Sequence, residues 1–361
     1  MNNITLKQMG MNDRLIESAG EYSGLYAGRV VSQYKDSYRV MTEKAALMAE
    51  VSGRLRHGAA GPADFPAVGD FVMLDRESDA GGHAIIHHVL PRKSAFIRKA
   101  AGTAQEEQVV ASNIDTVFIC MAMNKDFNLR RLERYLAIGW DSGAAPVVVL
   151  TKSDLCENLA DRLAEAQSTA IGADVVMTTA LGGVGFEAAM PYMRPGQTVA
   201  FIGSSGVGKS TLINGLAGAE IFATGGLRSD DKGRHTTTRR ELILLPGGAM
   251  VIDTPGMREL GVESADLDRA FADIETLAED CRFRDCTHTN EPGCAVLCAV
   301  EKGALDADRF ASYQKLKKEA GYEGLNSRQI EAKKLERMFG SVGGMKNARR
   351  FLKDNDKRRK R

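Results

Sequence analysis

The chain has 361 residues, of which 43% are hydrophobic and 26% charged, and its formal net charge is +1. At roughly 150 residues per domain this predicts two to three domains, with enough core to need no disulfide staples. No apolar run approaches the ~20 residues of a bilayer span, the amino terminus lacks a signal-peptide pattern, and six cysteines are too sparse for a disulfide scaffold. A cytoplasmic, non-membrane protein is expected. The near-neutral total hides an asymmetry: residues 327–361 hold thirteen Lys or Arg and four Asp or Glu, a net of +9, which leaves −8 on residues 1–326.

Four segments follow in chain order. Residues 1–20 are an extension with no readable role. Across 21–104, short alternating stretches such as Gly28-Arg29-Val30-Val31, Tyr38-Arg39-Val40-Met41, 68–74 and 84–90 are separated by Gly, Pro and Asp, which predicts a small β-barrel. From 105 to 264 the pattern becomes α/β. Thr116-Val117-Phe118-Ile119-Cys120, Val147-Val148-Val149-Leu150 and Thr198-Val199-Ala200-Phe201-Ile202 read as buried parallel strands. Between the first two, Leu129, Leu132, Leu136 and Ile138 recur at helical spacing behind Asn128, a predicted N-cap. Residues 265–361 read as helical and polar, interrupted by a cysteine-rich stretch and ending in a basic tail.

The most specific motif is Gly203-Ser204-Ser205-Gly206-Val207-Gly208-Lys209-Ser210, which fits G-x-x-x-x-G-K-[ST] without deviation. Its glycines let the backbone wrap phosphates so that N–H groups and a helix start face the anion. Lys209 is expected to reach the β- and γ-phosphates, Ser210 to ligate Mg²⁺, and Thr211 to open the helix beside the nucleotide. Downstream, Met250-Val251-Ile252-Asp253-Thr254-Pro255-Gly256 reads as a buried strand ending in a second magnesium ligand, Asp253, with the Gly256 N–H free for a γ-phosphate. Between these lies Gly233-Arg234-His235-Thr236-Thr237-Thr238. A threonine here, Thr236 or Thr237 with Thr237 as the magnesium ligand, would bind the metal only while the γ-phosphate is present, although the cluster alone does not single one out.

Thr151-Lys152-Ser153-Asp154 follows the strand at 147–150. A carboxylate such as Asp154 accepts both N1–H and the exocyclic amine of guanine, which adenine does not offer, and the Lys152 stem can pack on the base. These four motifs resemble those of translation-factor-class GTPases in an unusual order, with the base-reading motif ahead of the phosphate loop. That order, a circular permutation, together with the barrel and the cysteine stretch, closely resembles the ribosome small-subunit-dependent GTPase family (RsgA, also called YjeQ or EngC) across about residues 20–300. The resemblance implies an oligonucleotide-binding-type barrel, a circularly permuted P-loop GTPase domain and a zinc-binding helical domain. It further implies GTP and GDP as ligands, and binding to the small ribosomal subunit and its rRNA during late maturation, with hydrolysis driving release. No DNA partner is expected, and a monomer is.

Departures from the family pattern are visible. Thr151 stands where many GTPases have Asn, Thr179-Ala180 where Ser-Ala is usual, and Met257 where Ras-like enzymes have a water-orienting Gln. His235 is the candidate to orient water instead, beside its reading as a structural loop histidine. Cys281-x₄-Cys286-x-His288-x₅-Cys294 gathers three thiols and an imidazole suited to a closed, structural Zn²⁺ site. Cys298 could replace Cys294, and the family pattern favours Cys294. The tail, with a basic helix at 345–353, and a barrel face carrying Tyr34, Tyr38, Arg54 and residues 92–99 are the candidate RNA contacts. Two rival functions remain at this level: a non-catalytic, nucleotide-gated RNA-binding protein and a P-loop small-molecule kinase.

Overall fold

In a computed structural model, residues 4–78, 81–99, 107–179, 186–221, 240–253 and 267–320 are described. After helix α1 (Asp13–Gly20), which Asn12 caps through the N–H of Leu15, come β1 (Tyr26–Gln33), β2 (Tyr38–Met41) and β3 (Ala46–Val51) as an antiparallel meander. A short helix, α2 (Gly53–Gly58), leads to β4 (Phe71–Leu74) and β5 (Ala84–Val89). β5 pairs parallel with β3 and antiparallel with β4, and β4 returns to the first half of β1. The order β1-β2-β3-β5-β4-β1 closes a five-stranded barrel of oligonucleotide-binding type. Val30, Val40, Leu47, Val72, Leu74 and Ile86 fill its interior. β4 is buried on its other face too, where Phe71 and Met73 pack under Met11 and Leu15 of the amino-terminal extension.

β3 is the strand the sequence conceals. Its residues, Ala46-Leu47-Met48-Ala49-Glu50-Val51, follow Glu43-Lys44 and are mostly good helix formers; pairing with β2 on one side and β5 on the other overrides that preference. The expected RNA-facing group also changes. Tyr38 lies in the barrel core. Arg92 donates to both carboxylate oxygens of buried Asp70, at 2.8 and 2.7 Å, and to the carbonyls of Ala63 and Phe65. Lys93 pairs with Asp115 and Phe96 is buried. Of the named candidates Arg54 is exposed and Tyr34 half-buried.

A hairpin, β6 (Ala95–Lys99) and β7 (Glu107–Ser112), links the barrel to a second sheet. There follow β8 (Thr116–Ala122), α3 (Leu129–Asp141), β9 (Ala145–Thr151), α4 (Leu159–Thr169), β10 (Asp174–Met177), β11 (Thr198–Ile202), α5 (Lys209–Ala217), β12 (Arg240–Leu244) and β13 (Met250–Asp253). The strand order is β10-β9-β8-β11-β13-β12, parallel except for β12. Near-continuous apolar strands demand cover on both faces. α5 packs one face, through Leu212, Ile213 and Leu216. α3 packs the other with Leu132, Leu136 and Ile138, approaching so closely that a Cβ on Gly139 would stand 3.2 Å from Pro146.

The last four described helices, α6 (Leu267–Ala270), α7 (Ala272–Glu279), α8 (Ala295–Glu301) and α9 (Ala307–Ala320), continue the core on the α3 face through Phe271, Ile274, Tyr313 and Leu316.

Barrel and sheet are one hydrogen-bonded surface. The second half of β1 pairs with β12, Ser32 opposite Glu241 and Gln33 opposite Arg240. At this junction the fully buried Arg29 donates to the carbonyls of Gly69, Asn113 and Met9 and, at 2.9 Å, to the Thr198 hydroxyl that opens β11. Burial pulls its guanidinium down to about 10, opposed by Asp115 and Asp70, so it stays charged at neutral pH. No described helix is long and apolar enough to cross a membrane.

Candidate nucleotide and zinc sites

Parallel strands bring their carboxyl ends to one edge, where ligands of such sheets bind. The loop after β11, the residues after β9, Thr179 after β10 and the end of β13 all stand there. The loop 203–210 turns directly out of β11 into α5. Gly203 has φ of +155° and a Cβ on it would lie 2.5 Å from the Cys120 carbonyl; Gly208, at φ +102°, caps α5. Both positions need a residue without a Cβ. Beneath the loop, burial pushes the Cys120 thiol up to about 12, so it is an inert, packed side chain. Lys209 Nζ donates to the Gly203 and Ser204 carbonyls, both at 2.7 Å, which sets the ammonium in the mouth of the loop. Ser205 and Ser210 are exposed at its rim, and Thr211 is half-buried in the first turn of α5.

The base-reading motif is tied to this loop although 48 residues of sequence lie between them. Thr151 Oγ1 donates to the Val207 carbonyl at 2.6 Å, and Lys152 Nζ to the Gly206 carbonyl at 2.7 Å. The hydroxyl at 151, where an amide is usual, thus braces the loop. Lys152 has φ of +56°, an uncommon conformation for a side-chain-bearing residue, and its bond to Gly206 helps hold it there. Asp154 is exposed and accepts from Thr179 Oγ1 at 2.6 Å; Ser153 Oγ donates to the Thr178 carbonyl at 3.4 Å. A contact that sequence reading missed comes from α3: Arg131 Nη1 donates to Ser204 Oγ at 2.6 Å and to Asp126 at 2.9 Å. Among the several basic residues of α3, no spacing rule marks that one.

Asp253 closes β13, whose Ile252 is level with Ala200 of β11, so its backbone reaches the same edge as the phosphate loop. Ala180, His235, Thr236, Thr237, Gly256, Met257 and the basic tail lie outside the described residues.

At the far side of α3, Cys281, Cys286, His288 and Cys294 converge, with all ligand atoms within 4.8 Å of one another. Cys281 Sγ stands 3.9 Å from Cys294 Sγ and 3.7 Å from His288 Nδ1, which is 3.4 Å from Cys294 Sγ. Zn–S and Zn–N bonds of about 2.3 and 2.0 Å at tetrahedral angles give edges of about 3.8 and 3.5 Å, so the donor set fits zinc. His288 adopts φ of +53°, and burial, with the charge of Lys317, lowers its pKa and favours the neutral imidazole that a metal needs. Glu291 gathers the intervening loop by accepting from the backbone N–H groups of Thr287 and Thr289 and from the Thr287 hydroxyl. Cys298, on α8, is outside the group.

Comparison with known proteins agrees with this architecture. The family described as RsgA GTPase matches residues 89–263. The small ribosomal subunit biogenesis GTPase RsgA 2 of Lactiplantibacillus plantarum is 51% identical over 353 residues, covering 97% of this chain and 99% of that one. The crystal structure of YjeQ from Thermotoga maritima superposes with a TM-score of 0.61 at 27% identity, over 82% of this chain and 98% of that one. YloQ, described as a circularly permuted GTPase, does so with a TM-score of 0.58 at 25% identity, over 83% and 96%.

Proposed function

This chain belongs to the RsgA GTPase family, and we propose that it is a ribosome-biogenesis GTPase that acts on the small ribosomal subunit in the cytoplasm. In the finer reading the subunit stimulates hydrolysis, and hydrolysis releases the protein from its rRNA sites. The observation that carries the guanine-nucleotide reading is the pair of bonds from Thr151 and Lys152 to the Val207 and Gly206 carbonyls. They make the permuted base motif and the phosphate loop one site, as a kinase reading would not require.

The reaction is in-line attack of water on the γ-phosphate, for which positioning and charge stabilisation are the protein's main work. Backbone N–H groups of 204–211 and the Lys209 ammonium bind the β- and γ-phosphates. Asp154 accepts from the guanine edge, while Thr179 holds its carboxylate in place and Ala180 flanks the base. Ser210, Thr237 and Asp253 are the residues that would hold Mg²⁺, which neutralises charge on the phosphate oxygens when bound. Thr236 and Thr237 belong to the loop that follows the γ-phosphate, Gly256 donates its N–H to that group, and His235 orients the attacking water. Cys281, Cys286, His288 and Cys294 would hold one structural Zn²⁺, which leaves no open coordination position for catalysis.

Turnover of GTP measured with small subunits, with large subunits and with neither tests the reading. Stimulation of at least tenfold by small subunits alone is expected. Equal turnover in all three would remove the ribosomal part, and no GTP turnover in any of them would leave a nucleotide-gated binder.

A further inference from the structure

The first turn of α3 touches two parts of the molecule at once. Toward the nucleotide edge, Arg131 bridges Ser204 of the phosphate loop and Asp126, the latter within the loop that leads into α3. Toward the carboxyl-terminal helices, the neighbouring Arg130 bonds Asp306, at the start of α9, at 2.7 Å. Three residues beyond Arg130, Glu133 is fully buried and accepts from Arg309 of α9 at 3.1 Å as well as from Arg130. Arg309 is itself held by both carboxylate oxygens of Asp273, at 2.8 and 2.7 Å, and by the Ala270 carbonyl. A buried carboxylate between two guanidiniums accepts few alternative arrangements, because moving either cation strands a charge in a dry interior. The helical unit and the first turn of α3 are therefore locked in register.

We propose that Arg131 is a positioning residue of the phosphate loop, through which α3 couples the zinc-bearing helical unit to nucleotide binding. This rests on the GTPase reading above and assigns that site a route of regulation. Ser204 is the second residue of the loop, and its backbone path decides where the following N–H groups point. Its Nη1 group, shared between Asp126 and the serine hydroxyl, can hold that hydroxyl in a fixed direction, and the guanidinium adds positive charge beside the phosphates. Displacement of α9 by a docked partner would shift the first turn of α3 and release Ser204.

Arg131→Ala is expected to raise the dissociation constants of GTP and GDP alike, by about tenfold, and to raise KM while kcat changes less than threefold, the pattern of lost uniform binding. Arg131→Lys should recover part of the affinity, since an ammonium keeps the charge and loses the planar geometry that aims Nη1 at both partners. Asp306→Asn retains a side chain able to cap α9 and removes the ion pair. It should weaken nucleotide binding several-fold in the parent chain and have no further effect in the Arg131→Ala background.

Affinities within twofold of the parent in Arg131→Ala, or an Asp306→Asn effect of equal size in both backgrounds, would overturn the coupling while the parent's GTP binding leaves the enzyme reading intact. A parent chain that binds GTP no better than ATP would overturn both.

Discussion

The phosphate loop and the cysteine loop solve the same problem, gathering polar atoms around a small charged ligand, from opposite ends of the chain's resources. The first is a backbone device. Its N–H groups are aimed by the fixed ends of β11 and α5, its tight geometry is permitted by Gly203 and Gly208, and Thr151 and Lys152 brace it from β9. The second is a side-chain device: three sulfurs and one imidazole nitrogen meet across a loop whose other ties include the Glu291 carboxylate, the Gln314 bond to the His288 carbonyl and the Arg282 N–H to the Gly293 carbonyl. The lesson concerns failure. A site built on the backbone should lose ligand binding and keep its fold when a side chain goes, whereas a site built on side chains should lose both together.

The largest effect is expected at the zinc loop, where metal binding is folding energy on the order of 10 kcal/mol. Cys286→Ala should drop bound zinc from one equivalent to near zero and broaden or lower thermal unfolding, read by metal analysis and calorimetry; full zinc occupancy in that variant would refute the ligand assignment. Lys209→Ala should cut GTP hydrolysis by about 10²–10³-fold, as removing one preorganised donor does elsewhere, while the unfolding temperature stays close to the parent's. A large loss of stability there would break the contrast between the two loops.

Asp154→Asn removes the charged acceptor for guanine, worth about 3 kcal/mol or 10²-fold in affinity, and should turn preference toward xanthosine nucleotides in competition binding. Unchanged GTP selectivity would count against Asp154 as the base reader. The smallest effect belongs to Thr151→Val, which leaves the buried Val207 carbonyl without its donor. It should cost about 1–3 kcal/mol, shared between stability and nucleotide affinity; equality with the parent in both would show that the hydroxyl is dispensable to the loop.

Much of this arrangement was legible in the residues. β8, β9, β11 and β13 are apolar runs with one plausible reading, the helix after Asn128 begins at its cap, and the phosphate loop and cysteine spacing carry their chemistry openly. What was hidden depends on tertiary contact. β3 has helix-forming residues, and only its two neighbours make it a strand. Tyr38 and Arg92 look like surface groups until the barrel closes and Asp70 is found beside Arg92. Arg29 sits in an ordinary alternating stretch, yet its guanidinium reaches five residues from five separate parts of the chain. Long-range partners of a charged side chain leave no periodic signature, so neither Arg29 nor Arg131 could be singled out.

The shared strand has one more consequence. While β2 lines its other edge, β1 gives one edge to β4 over its first half and to β12 over its second, and in doing so it covers backbone groups at the rim of the nucleotide-binding sheet. Cut the chain near residue 89, where the family match begins, and that rim is laid bare, with Leu244 already 38% exposed on it. A raw, partly apolar margin of this kind recruits copies of itself. The shortened protein is expected to sediment as aggregates under conditions where the full chain stays dispersed, which makes the barrel a guard on solubility.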